Sequence, residues 1–172
     1  HRFIAERIVE ILSKEGQRAL PIIQICGEDG EANRYIAARA SADLGMGLYS
    51  MKSEDIPALP HEREALARLW EREAFLSNAA LILDCSELER GEKMRSAVSF
   101  LENVQSPVLT SCRQQLILAR RSSIKLDVSR AKRAEQREIW LEALGPLART
   151  MDGRLDGLVA EFDLGMRGIQ EI

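Results

Sequence analysis

Five short apolar runs, each set off from the next by a segment of helical period, constrain this chain more than any other feature of its sequence. They read PIIQIC at 21–26, LYSM at 48–51, AALILDC at 79–85, PVLTS at 107–111 and IKLDVS at 124–129. Short runs rich in β-branched and aliphatic side chains and bounded by turn residues are the pattern of strands buried on both faces. Between them apolar side chains recur at helical spacing: Tyr35, Ile36 and Ala40 within 31–44, Leu66, Leu69 and Trp70 within 61–77, and Met94, Ala97, Val98 and Leu101 within 91–104. A further amphipathic helix, carried by Ile4, Ile8, Ile11 and Leu12, precedes the first run and is stopped at Gly16. Strands alternating with helices of this length build a parallel sheet, because a parallel neighbour is reached only by a long crossover. The expected fold is α/β, a five-stranded parallel sheet covered by helices on both faces.

The end of the chain departs from this alternation. Helical patterns at 133–144 (Gln136, Ile139, Trp140, Ala143, Leu144) and 155–162 (Leu155, Leu158, Val159, Phe162) have no strand between them. Gly145 and Pro146 separate the two, a stop followed by a breaker. The chain is therefore expected to divide into an α/β core at 1–144 and the start of a helical subdomain at 145–172. Beginning at His1 and stopping at Ile172 in mid-pattern, it is expected to be a segment of a longer protein.

Charge narrows the partners. A formal net charge of -3 over 172 residues sets up no field that would draw the whole chain to nucleic acid or an anionic membrane. No apolar stretch approaches the roughly 20 residues of a spanning helix, and no amino-terminal signal pattern is present, so the cytoplasm is the expected location. Locally the balance differs: residues 113–133 hold Arg113, Arg120, Arg121, Lys125, Arg130, Lys132 and Arg133 against Asp127 alone. That excess suits an acidic protein surface or a nucleotide approached from outside, or is simply a solvated face. No stacking aromatics accompany it, which argues against single-stranded nucleic acid.

Ligands of open parallel sheets bind beyond the carboxyl ends of the strands. At the first such end a working phosphate loop would read G-x-x-x-x-G-K-[ST], with backbone amides around the phosphates, a lysine on the terminal ones and a hydroxyl on magnesium. The same frame here reads Gly27-Glu28-Asp29-Gly30-Glu31-Ala32-Asn33-Arg34. Gly27 and Gly30 remain, but Ala32, Asn33 and Arg34 stand where the second glycine, the lysine and the hydroxyl residue belong. Glu28, Asp29 and Glu31 add carboxylates, each repelling a phosphate by roughly 1 kcal/mol at about 4 Å in water and about 4 kcal/mol at an effective dielectric of 20. The alternative is a tight turn whose acidic residues favour a helix start. At the third strand end Asp84 stands where an aspartate would support magnesium, followed by Cys85 in place of a catalytic glutamate; Asp84 could equally cap the next turn. At the fourth, Thr110 or Ser111 could present a hydroxyl to a terminal phosphate or bond to nearby backbone. Cys26, Cys85 and Cys112 form no C-x-x-C pair and fit neither a disulfide framework nor a zinc site, so they read as buried thiols.

Taken together, the helix before the first strand, GEDGEANR, LILDCSE, PVLTS and LDVSRAKRAEQREIWLEAL resemble the AAA+ ATPase module over nearly the whole chain. LPHEREALARLWEREAFLSNAALILD is also similar to the amino-terminal module of tandem bacterial ATPases, some associated with contractile injection systems, in which a degraded module precedes an intact one. The resemblance implies a P-loop-type sheet in the order 5-1-4-3-2, a helical lid, a site at a subunit interface and an oligomer. That order would gather Cys26, Cys85 and Cys112 at one edge of the sheet. It also implies an arginine reaching a neighbour's site from the end of a helix before the fifth strand, with Arg120 and Arg121 the candidates.

The reading that follows is a degenerate AAA+ domain without catalysis of its own, a structural or regulatory module of a larger ATP-driven protein. No cofactor is expected for this domain; ATP and Mg would belong to the parent protein, and its partner would be another AAA+ module in the same chain or a neighbouring subunit. Two rivals stand beside it: an active ATPase in which Arg34 replaces the lysine, and a doubly wound protein-interaction module with no nucleotide.

Overall fold

The structure, a computed structural model, describes residues 1–13, 20–88 and 91–129. The expected helices at 133–144 and 155–162 and the boundary at Gly145 lie outside the described residues. Within them the elements run α1 (Arg2–Leu12), β1 (Ile22–Cys26), α2 (Gly30–Asp43), β2 (Gly47–Lys52), a single 3-10 turn (Ser53–Asp55), α3 (Pro60–Ser77), β3 (Ala79–Asp84), α4 (Glu92–Asn103), β4 (Val108–Cys112) and β5 (Ser123–Asp127). All five strands are parallel and lie in the order β2-β3-β4-β1-β5, which read from the other edge is 5-1-4-3-2.

Position in the sheet explains the composition of each strand. β1 and β4, flanked on both sides, are buried at every residue. The edge strands GLYSMK and SIKLD carry polar side chains among the apolar ones and are half exposed, because an edge strand has fewer neighbours on either face. Alternation along the strands divides the core into two layers. Ile23, Ile25, Ala80, Ile82 and Leu109 face α1 and α2; Ile22, Cys26, Leu81, Leu83, Val108 and Cys112 face α3 and α4. Each fully buried aliphatic of these layers contributes about 1.5–3 kcal/mol relative to exposure.

Element ends follow local chemistry. Pro60 opens α3 in its first turn, where its missing N–H costs nothing. Asn78 closes α3 in the left-handed region at φ 47 and donates from its side chain to Gly45 O at 3.0 Å, so that β3 starts at the next residue.

One expectation is corrected here. No helix precedes β5: residues 113–122 form an irregular crossover in place of the helix that the resemblance implied. Its physical substitute is Gln24, fully buried in β1, whose Nε2 donates to Leu116 O at 2.9 Å and whose Oε1 accepts from Leu116 N at 2.7 Å. Glu102 of α4 holds the same crossover further on, accepting from the amides of Ala119 and Arg120. Among the described residues no helix is long and apolar enough to cross a membrane.

Candidate functional site

The loop between β1 and α2 lies at the carboxyl end of the sheet, where Gly27 N donates to Cys112 O and Val128 N to Cys26 O. A Cβ on Gly27 would sit 3.0 Å from Val128 O and 3.1 Å from both Val128 Cβ and Asn33 Oδ1. Glycine is therefore favoured there by the close approach of backbone to backbone, since any side chain would push Val128 or Asn33 aside by a few tenths of an ångström. At Gly30 the nearest atom to such a Cβ is Ser111 Oγ at 3.9 Å, an ordinary contact.

Asp29 caps α2. Its Oδ1 accepts from Glu31 N at 3.0 Å and Ala32 N at 3.1 Å, so a carboxylate of the chain itself takes the first-turn donors that would attract an anion. Asn33, one turn on, is fully buried; its Nδ2 donates to Ser111 Oγ at 3.1 Å and to Ile25 O at 3.3 Å. Its Oδ1 is buried without a hydrogen-bond partner and lies against Gly27. The amide thus fills the space beneath the loop.

Arg34 lies over Asp84. Its Nη2 is 3.3 Å from Asp84 Oδ2 and its Nη1 is 3.0 Å from Glu31 Oε1. Asp84 Oδ1 is occupied as well, accepting from Ser86 N at 3.0 Å and from Ser86 Oγ at 2.6 Å. Asp84 therefore caps the turn after β3 with one oxygen and meets a guanidinium with the other. Asn33, Arg34, Asp84 and the Gly27 loop are brought together around Ser111.

Thr110 is not brought there. It shares a face of β4 with Val108 and Cys112, which pack toward α3 and α4, and its Oγ1 is 3.9 Å from Cys112 Sγ. Ser111, one residue on, faces α2 because successive side chains point to opposite sides of a sheet. The expectation for Thr110 is thus corrected in favour of Ser111.

Arg120 and Arg121 lie at the opposite end of the sheet, just before β5, where Ile22 N donates to Ser122 O. Arg120 is exposed, but the expected exposure of Arg121 is corrected: it is 8% exposed. Its guanidinium donates to the carbonyls of Leu20, Leu101, Val104, Gln105 and Ser106. Burial lowers its pKa, partly opposed by the Glu71 carboxylate. A guanidinium spent on five carbonyls of its own chain clasps the end of α4 to the start of β1. Sequence reasoning missed this clasp and the Gln24 clip; a glutamine inside an otherwise apolar buried strand was the available signal for the second.

The three thiols are free and buried and share one core layer, with Cys26 Sγ 3.2 Å from Cys112 Sγ. Desolvation raises the pKa of all three, Cys85 to about 12. On the α4 side of the sheet a cavity of about 750 Å³ opens between α4 and residues 113–117, with Leu88, Met94, Val98 and Ile117 among its walls and Arg95 and Arg113 at its polar positions.

A family model described as the contractile injection system ATPase helical domain matches residues 132–172. That stretch follows β5 and lies outside the described residues; over it the chain is similar to ATPases of contractile injection systems. No curated protein matches the chain.

Proposed function

We propose that this chain is a degenerate AAA+ module of a larger ATP-driven protein of the contractile-injection type, with a structural or regulatory role and no hydrolysis of its own. The observation that carries the reading is the Arg34 guanidinium lying between Asp84 and Glu31. A magnesium triphosphate needs a hydroxyl ligand and a free carboxylate at those positions, and a lysine where Asn33 is buried. The Asp29 carboxylate on the α2 amides adds a like charge where a phosphate would sit. The residues present do not suit magnesium ATP. The match over residues 132–172 supports placement in an ATPase-associated assembly, and the partner is then another module of that assembly.

The test is titration calorimetry of the chain with ATP and magnesium. No binding is expected at micromolar concentrations, and the paired substitution Asn33→Lys with Arg34→Thr is not expected to restore it while Asp29 remains. Micromolar binding by the unaltered chain would sink the reading and favour the active ATPase.

A further inference from the structure

We propose that Cys26 and Cys112 form a dithiol that a peroxide converts to a disulfide, stapling β1 to β4 at the root of the Gly27 loop. The two are register partners in adjacent parallel strands, with their sulfurs 3.2 Å apart. Neighbouring strands lie about 4.8 Å apart, within the roughly 4.4–6.8 Å between Cα atoms that a disulfide spans. Closure therefore asks for side-chain rotation and leaves the strand ladder in place. The inference needs only these two strands and stands apart from the nucleotide reading.

The chemistry balances with hydrogen peroxide as the oxidant. Cys26 is the attacking group, being 5% exposed where Cys112 is 1% exposed. Its thiolate attacks one peroxide oxygen, the O–O bond breaks, and hydroxide leaves and takes a proton to become water. Cys112 then attacks the sulfenic sulfur; the S–S bond forms, the S–O bond breaks and a second water leaves. The pair loses two electrons and the peroxide gains them. Burial works against the first step by raising both thiol pKa values. Around Cys26, the Cys112 thiol and Lys125 favour the thiolate and Asp127 opposes it; around Cys112, Cys26 opposes it most after burial, Cys85 opposes it as well and Thr110 favours it. The reaction is therefore slow near neutral pH. It should accelerate about tenfold per pH unit between about pH 7 and pH 9, since the thiolate fraction grows by that factor below the pKa.

Cys85 is the rival partner. It follows Asp84, which pairs with Ser111, and so extends the β3 register to Cys112. Its amide donates to Ser111 O at 2.7 Å, but the short sulfur contact of Cys112 is with Cys26.

The experiment treats the reduced, natively folded chain with hydrogen peroxide, alkylates the remaining thiols, and reads intact mass and the peptide map. The expected product has lost two hydrogens, links the Cys26 and Cys112 peptides and reverts with dithiothreitol. Cys85→Ala should form it at an unchanged rate, whereas Cys26→Ala and Cys112→Ala should abolish it. A link through Cys85, sulfinic acid without any link, or thiols unreacted at about pH 9 would each overturn the proposal. Because the map of the unaltered chain decides the outcome alone, poor folding of a variant leaves the test intact.

Discussion

Arg121 holds five backbone carbonyls with one guanidinium, while its neighbour Arg120 is exposed. Arg121→Ala is therefore expected to cost on the order of 3 kcal/mol, because buried acceptors lose charged donors. Arg120→Ala should stay within about 0.5 kcal/mol, as exposed substitutions do. Urea midpoints of the two variants at an unchanged slope make the comparison; equal midpoints would remove the clasp. In an assembly, only Arg120 can then be tested cleanly as a residue acting on a neighbour, since Arg121→Ala changes folding first. Cys85 supplies a second residue-scale outcome. Its folded pKa stands at about 12 against an ordinary value of 9.0, raised first by burial and then by Asp84. A thiol raised on folding contributes stability that is complete below the unfolded pKa and lost as pH climbs toward the folded one. Stability should thus fall between pH 9 and about 12, and Cys85→Ala should make that limb shallower in a pH series of denaturant melts, the raised thiols of Cys26 and Cys112 keeping the remainder.

At the scale of the element, the start of α2 is capped by a carboxylate of the chain itself. Asp29 Oδ1 satisfies two amides of the first turn, so Asp29→Ala should cost about 1 kcal/mol, and Asp29→Ser much less, because serine caps nearly as well. Thermal melts of the two variants check the ordering. Similar losses in both would mean that the cap contributes little. The five strands and the helices α2, α3 and α4 were legible to within one or two residues, because their periods are set by local geometry and by burial on the two faces of the sheet. The crossover at 113–122 was not. Its expected helix came from resemblance, and RQQLILARRS is instead held in an irregular path by Gln24 and Glu102, partners 92 and 17 residues away from the groups they bind. Long-range side-chain partners of this kind leave no periodicity in the segment they hold.

At the scale of the molecule, the two core layers of the described residues are built on both faces of one sheet, Val128 being the last residue packed against them. A chain ending at Ser129 is therefore expected to unfold in one cooperative transition, since every described strand and helix precedes that point. Probes of secondary structure and of Trp70 fluorescence should give coincident urea curves; separate transitions would show that residues 130–172 are needed for the core. Removing them also removes the region similar to the helical domain of contractile injection system ATPases.

The sequence by itself determined the α/β class, the five described strands and the presence of Asn33 and Arg34 in the loop, since these depend on residue identity and on periods of two and 3.6. It left open whether Asp84 caps the next turn, whether Thr110 or Ser111 faces the loop, and which of Arg120 and Arg121 is buried. Tertiary structure decided those points. Asp84 does its capping through Ser86 and meets Arg34 from 50 residues away; Ser111 faces Asn33 by strand alternation; and Arg121 is withdrawn into its own chain by carbonyls that only the folded sheet brings together. Side chains so distant along the chain meet only when the sheet is assembled, and the meeting decides which of their possible partners each one keeps.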